Sequence, residues 1–171
     1  MGDLTKNFSL SEFTKSDTAY RNGINNTPTA LAKNNLQSLC EELLQPISNA
    51  LNAKRPKGAK ELGIIITSGY RALAVNRLLG SNDTSAHRYG HAADFHCPGY
   101  EGGSVKKLCI FIEDWLKAND IAFDQLIYEF GNDRVPTAGW VHLGRCNKDG
   151  EQRRELLIIN KKGTKKVQTF K

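Results

Sequence analysis

The sequence predicts an α+β fold in which helices flank a mostly antiparallel sheet. Segments with helical periodicity are mixed along the chain with short apolar runs that are typical of strands. Late in the chain, the candidate strands 123–130 and 139–145 are separated only by the turn-rich stretch GNDRVPTA. Adjacent strands in a mixed pattern favour α+β over a doubly wound parallel sheet.

The individual elements follow from local patterns. Residues 29–54 show leucines at helical spacing after Thr27-Pro28, and Pro46 should kink or break this helix. The other predictions are a buried strand at 62–70, a short helix at 71–80 ending at Gly80, a strand at 90–97, an amphipathic helix at 105–120 and a terminal hairpin around Lys162-Gly163.

Length and composition indicate one domain. The chain has 171 residues, of which 39% are hydrophobic, which is enough for a real core. We expect a single domain over 1–171, with residues 1–26 as an extension packed on it and residues 150–171 as a basic C-terminal segment. The four cysteines form no CxxC pair, so buried reduced thiols are favoured over a zinc ribbon or disulfides. Cys97 stays a weak candidate ligand because it lies near several histidines.

The net charge of +6 bears on possible partners. Much of the excess lies near the C-terminus, which suits a polyanion such as nucleic acid, anionic membrane or cell wall, or else a solvated tail with no specific partner. No aromatic-interleaved basic pattern accompanies the charge, so we expect no specific nucleic-acid partner. No apolar run is long enough to span a bilayer, and no signal-peptide core follows Met1. We therefore expect cytoplasmic synthesis.

The stretch SAHRYGHAADF, residues 85–95, concentrates groups that bind metals. His87 and His91 have the spacing of an HExxH helix, but the glutamate of that motif is missing and Gly90 disfavours a helix. His87 and Asp94 form a better pair for one cation. We expect the third metal ligand to be His142, with His96 as the alternative. The alternative to a metal site is that His87 and Asp94 form a hydrogen-bonded pair that orders a turn.

The pattern SxHxxGxAxDF, followed much later by WVH, resembles the peptidase M15 family. This family comprises zinc D,D-carboxypeptidases and related L,D-endopeptidases of bacterial cell walls. Further segments look like the subgroup encoded in phages and prophages, and they run in order from Asn7 to about Gly144: NFSLSEFTKSDTAYRNGINNTPT, ITSGYR, AVNRLLGSNDTSAHRYGHAADF, FDQLIYEF and WVHLG.

The resemblance implies a hedgehog/D,D-peptidase-like fold, one zinc ion per chain and a set of site residues. His87 and Asp94 match the first two zinc ligands, and His142 matches the third. Ser85 matches a serine that contacts substrate. Arg71 matches an arginine that holds a carboxylate or carbonyl of the substrate, for which a planar guanidinium is well suited.

The general base departs from the family pattern. Many relatives carry an acid three residues before the last histidine, where this chain has Gly139. The subgroup keeps an acid at the position of Glu129, to which the resemblance assigns the role of base. Asp124 and Asp133 are rival acids, and Asp133 in the turn is the stronger of the two.

The function expected from the resemblance is zinc-dependent hydrolysis of a peptide bond in peptidoglycan stem peptides. The enzyme would be a D-Ala-D-Ala carboxypeptidase or an L,D-endopeptidase, with a phage or prophage endolysin as one setting. We expect a monomer that acts on the wall after holin-type release or as a virion component. The alternative is a non-catalytic wall-binding or virion-structural module, which the missing acid at position 139 keeps open.

Overall fold

Over residues 2–171, six strands form one sheet in the order β1-β2-β4-β3-β5-β6. They are β1 (Ile65–Ser68), β2 (Ala92–His96), β3 (Gln125–Glu129), β4 (Trp140–Gly144), β5 (Glu155–Asn160) and β6 (Gly163–Val167). Neighbouring strands are antiparallel, except that β3 and β5 are parallel. The computed structural model describes residues 2–171, and over this range it confirms the predicted α+β fold with a mostly antiparallel sheet.

Within the described residues, six α-helices accompany the sheet: α1 (Leu10–Thr14), α2 (Asp17–Arg21), α3 (Ala30–Leu39), α4 (Gln45–Ala53), α5 (Leu73–Leu78) and α6 (Val105–Ala118). The sequence analysis predicted α5 and α6 but no element at the positions of α1 and α2. Among the described residues, no helix combines the length and apolarity needed to cross a membrane.

The predicted helix at 29–54 is one helical run with an irregular centre. Thr29 caps α3 by accepting a hydrogen bond from the backbone N–H of Ala32. A π-helical turn, Cys40–Leu44, then separates α3 from α4. Pro46 has no N–H to donate to the preceding turn, and the wider π turn accommodates it without ending the helix.

The two faces of the sheet have different roles. Ala93, Phe95, Leu126, Val141 and Leu143 belong to the same hydrophobic core as the buried side chains of α3, α4 and α6. Side chains alternate along a strand, so their neighbours in sequence point to the opposite face. That opposite face carries the polar residues of the candidate site.

Both ends of the described chain contribute to this core, which extends from Leu4 to Phe170. Near the N-terminus, Phe8 and Phe13 are buried, and the backbone N–H of Tyr70 donates to the carbonyl of Phe13. At the other end, β5 and β6 form the predicted hairpin, and the backbone N–H of Phe170 donates to Glu113. The basic C-terminal segment thus forms two strands of the sheet.

Gly90 supports the loop that carries His87. Its φ of +75° is in the left-handed region, and a Cβ atom there would lie 2.3 Å from the carbonyl oxygen of Ala32 in α3. Position 90 therefore needs glycine both for its backbone conformation and for the close approach of α3.

We predict that Gly90→Ala lowers the free energy of unfolding by about 3 kcal/mol, because left-handed strain adds to a backbone collision. Gly80→Ala is the matched control, since Gly80 has a φ of +68° and open space around it. That variant should lose only about 1 kcal/mol. Urea denaturation of both variants measures the difference, and equal losses would contradict the importance of the α3 contact.

Candidate metal centre and active site

Three segments bring the predicted metal ligands together. Asp94 on β2 lies directly opposite His142 on β4 in the antiparallel register. His87 comes from a 3-10 turn, Ala86–Tyr89, which ends at Gly90 just before β2 begins. The loop and two adjacent strands therefore place the three side chains on the open face of the sheet.

The ligand atoms are close together and buried. Asp94 Oδ1 lies 2.8 Å from His142 Nδ1 and 3.2 Å from His87 Nε2. The two imidazole nitrogens lie 3.2 Å apart. All three residues are less than one tenth exposed. A group of this composition and spacing can hold a metal ion.

A hydrogen bond to the backbone determines which nitrogen of His87 faces the cluster. His87 Nδ1 lies 2.7 Å from the carbonyl oxygen of Gly69, which can only accept. Nδ1 therefore carries the proton, and Nε2 of the neutral ring presents a lone pair to Asp94 and His142. Burial lowers the pKa of His87, which favours this neutral form.

The cluster fits zinc in both donor type and spacing. Zinc in proteins is typically tetrahedral, with bonds to imidazole nitrogen and carboxylate oxygen of about 2.0–2.2 Å. Such bonds separate neighbouring ligand atoms by roughly 3.3–3.6 Å. The observed separations of 2.8–3.2 Å need to open only slightly around an ion. The Gly69 carbonyl would orient His87, as outer partners commonly do for ligating histidines.

Arg71 contacts the second oxygen of the same carboxylate. Its Nη2 lies 2.6 Å from Asp94 Oδ2, and its Nε donates to Ser68 Oγ at 2.9 Å. Burial by itself would raise the pKa of Asp94, but the close approach of the His87 and His142 imidazoles holds it below its ordinary value. Asp94 therefore remains an anion, as a metal ligand must.

Glu129 lies on the same open face, one strand further along. Glu129 on β3 is opposite Trp140 on β4, and the indole Nε1 donates to Glu129 Oε2 at 3.1 Å. Burial, followed by the negative charge of Asp94, raises the pKa of Glu129 above its ordinary value. A carboxylate with a raised pKa is suited to accept a proton near neutral pH.

The backbone explains why position 139 carries no acid. Gly139 has a φ of +79°, and a Cβ atom there would lie 2.2 Å from the carbonyl oxygen of Glu129 and 2.6 Å from the backbone nitrogen of Gly131. No side chain fits in this conformation. An acid on this part of the site has to come from a neighbouring strand, and Glu129 is such an acid.

These residues line a cavity of about 590 Å³. Its walls include Arg71, Ser85 and Glu129 together with the three candidate ligands. Trp140 and Phe130 form an aromatic pair on its rim, with ring centroids 5.4 Å apart. The sequence analysis quoted Trp140 only as part of the WVH segment and did not single out Phe130. No sequence signal marks Phe130, which reaches the rim through its left-handed backbone conformation.

Other sequence candidates lie outside the metal cluster. His91, His96 and Cys97 are not among the three grouped ligands. Asp124 lines the cavity, but both of its carboxylate oxygens bind Arg153. Asp133 is 72% exposed and forms an ion pair with Lys106.

A protein-family model described as Peptidase M15 matches residues 6–114, more than half of the chain. The chain belongs to the peptidase M15 family. Comparison with curated proteins found no match. The matched range contains Arg71, Ser85, His87 and Asp94, whereas Glu129 and His142 lie beyond it. The pairing of β2 with β4 places His142, which lies outside the matched range, beside Asp94, which lies inside it.

We predict that His142→Ala weakens zinc binding by more than about 100-fold, because losing a ligand costs more than the 10- to 100-fold typical of an outer partner. His96→Ala is the matched control, since His96 lies on the same strand as Asp94 but outside the cluster. Calorimetric titration with zinc measures both. Equal weakening in the two variants would contradict the choice of His142 as ligand.

Proposed function

We propose that this M15 family member is a zinc peptidase that hydrolyses a peptide bond in peptidoglycan stem peptides. The observation that carries the proposal is the buried convergence of His87, Asp94 and His142 on a cavity that also contains Glu129. Family membership supports a peptidase. Donor chemistry supports zinc.

The roles of the residues follow from their placement. His87 Nε2, His142 Nδ1 and an Asp94 oxygen would hold the ion. Bound zinc supplies a Lewis acid that polarises a carbonyl and makes water more acidic. Glu129 accepts the proton of the attacking water and delivers it to the leaving amine. Trp140 keeps the Glu129 carboxylate oriented through the indole hydrogen bond.

Arg71 and Ser85 are proposed to position the substrate. Both line the cavity beside the candidate ligands. The Arg71 guanidinium contacts Asp94 Oδ2, and its planar fork has further N–H donors for a carbonyl or carboxylate of the substrate.

Peptidoglycan as substrate is supported by the resemblance to cell-wall peptidases and by the net charge of +6, which suits a wall rich in anionic polymers. We further propose action as a monomer, in an endolysin-like role and without a nucleic-acid partner. A non-catalytic module is less well supported, because the glycine at position 139 has a steric explanation and Glu129 supplies an acid.

Glu129→Gln tests the assignment of the base. We expect kcat on purified peptidoglycan to fall by about 10²- to 10⁴-fold, which is the usual contribution of a general base. Zinc content should be unchanged, because Glu129 is not one of the three grouped ligands. Asp133→Asn is the control and should retain full activity. If Asp133→Asn were the inactive variant instead, the base would be Asp133.

The pH dependence gives an independent test. Because the pKa of Glu129 is raised from 4.5, the base becomes protonated, and therefore inactive, at a higher pH than an ordinary glutamate. We predict that kcat/KM declines on the acid side with a midpoint above 4.5. The residual activity of Glu129→Gln should lack this decline. A wild-type midpoint at or below the ordinary value would contradict the proposed environment of Glu129.

A further inference from the structure

We propose that Asn26 is a positioning residue of the metal centre, which acts through the backbone of residues 69–72. The inference rests on the proposed zinc peptidase function and gives the N-terminal part of the chain a role in that site. The hydrogen bonds of Asn26 go to backbone groups of three other residues and not to the candidate ligands. Its influence on the ligands therefore depends on what residues 69–72 contact.

Residues 69–72, which follow β1, are joined to the metal centre by three hydrogen bonds. The Gly69 carbonyl accepts from His87 Nδ1 at 2.7 Å, and the backbone N–H of Arg71 donates to the His87 carbonyl at 3.2 Å. The Arg71 guanidinium donates to Asp94 Oδ2 at 2.6 Å. The orientation of the His87 ring and of the Asp94 carboxylate therefore depends on where this short segment lies.

The side chain of Asn26 binds this segment with both ends of its amide group. Its Nδ2 donates to the Tyr70 carbonyl at 3.1 Å, and its Oδ1 accepts from the backbone N–H of Ala72 at 2.8 Å. The same Nδ2 donates to the Thr14 carbonyl at 2.9 Å. Asn26 is only 9% exposed, so removal of its amide would leave largely buried backbone groups without partners.

The two hydrogen bonds to the segment fix both peptide groups that flank Arg71. The Tyr70 carbonyl belongs to the peptide group before Arg71, and the Ala72 N–H belongs to the one after it. Because peptide groups are planar, holding both planes fixes the backbone torsions of Arg71. The first of these planes also contains the Arg71 N–H, which donates to His87. Asn26 and His87 thus bind opposite ends of one rigid peptide group.

Phe13 holds the same segment from the N-terminal side. The backbone N–H of Tyr70 donates to the Phe13 carbonyl at 2.7 Å. A Cβ atom at Gly69 would lie 2.6 Å from both the Cα and the carbonyl oxygen of Phe13, so the two backbones approach closely without room for a side chain. Phe13 itself is fully buried. Residues 69–72 are therefore held between the N-terminal part of the chain and the candidate ligands.

Asn52 offers a matched control elsewhere in the fold. Its Nδ2 donates to the Leu62 carbonyl at 3.0 Å and to the Ser48 carbonyl at 2.9 Å, and its Oδ1 accepts from the Leu62 N–H at 2.8 Å. These are the same three kinds of hydrogen bond that Asn26 makes, but they join α4 to the residues before β1. Alanine at either position should lower stability comparably, and only Asn26→Ala should affect the metal centre.

The first experiment measures backbone amide exchange in the full-length protein without added zinc, so it does not depend on activity. We expect Asn26→Ala to speed exchange of the Ala72 N–H and of the Arg71 N–H by about tenfold each, because one loses its acceptor and the other loses its fixed peptide plane. Asn52→Ala should leave both rates unchanged. Faster exchange at Ala72 alone, or equal effects of the two variants, would overturn the transmission to His87.

The second experiment is calorimetric titration with zinc. We expect Asn26→Ala to weaken zinc binding by about tenfold, the low end of the effect of an outer partner, because Asn26 acts through one further segment. Asn52→Ala should bind zinc within about twofold of the wild type, since a loss of stability alone does not change the affinity of a protein that stays folded. Urea denaturation verifies that the two variants are comparably stable.

If Asn26→Ala does not fold, Asn26→Asp and Asn52→Asp replace the alanine pair in both experiments. Aspartate keeps the shape of the side chain and the acceptor for the backbone N–H, and it removes only the donor. Equal zinc affinities in the matched variants would overturn the role of Asn26 and leave the peptidase proposal intact. A folded wild-type protein that binds no zinc would overturn the proposed function, and the inference with it.

Discussion

The buried carboxylate of Asp94 is the constraint on which the open face of the sheet depends. One oxygen lies within 3.2 Å of both His87 and His142, and the other lies 2.6 Å from Arg71. A buried charge costs several kcal/mol unless it is paired and hydrogen-bonded. Asp94 therefore fixes the positions of its three partners, and these come from a loop, a neighbouring strand and the segment that follows β1. The fold meets this requirement with groups that together could hold a metal ion.

Backbone geometry determines where the acid of the site lies. The left-handed conformation of Gly139 brings its backbone so close to Glu129 and Gly131 that a side chain is excluded. The neighbouring strand provides a carboxylate instead, since Glu129 faces Trp140 across β3 and β4. The absence of an acid at position 139 thus has a steric reason in the backbone of this chain.

Much of the fold and site could be predicted from the sequence. Periodicity predicted α6 and the terminal hairpin, and the resemblance singled out the residues that the structure groups as His87, Asp94 and His142. Three features could not be predicted. The ion pair between Arg71 and Asp94 depends on side chains 23 residues apart. The steric reason for glycine at 139 depends on a φ angle, and the packing of Phe130 against Trp140 depends on the left-handed backbone of Phe130. None of these is encoded in a local pattern.

The central claim is that His87, Asp94 and His142 bind one zinc ion, and zinc K-edge X-ray absorption on the reconstituted protein tests it most directly. The account predicts one zinc per chain with only nitrogen and oxygen ligands at about 2.0–2.2 Å, including imidazole scattering. Asp94→Asn should abolish stoichiometric binding. A sulfur ligand at about 2.3 Å would contradict the account by placing Cys97 or another cysteine on the metal. Failure of the folded wild-type protein to retain stoichiometric zinc would contradict it outright.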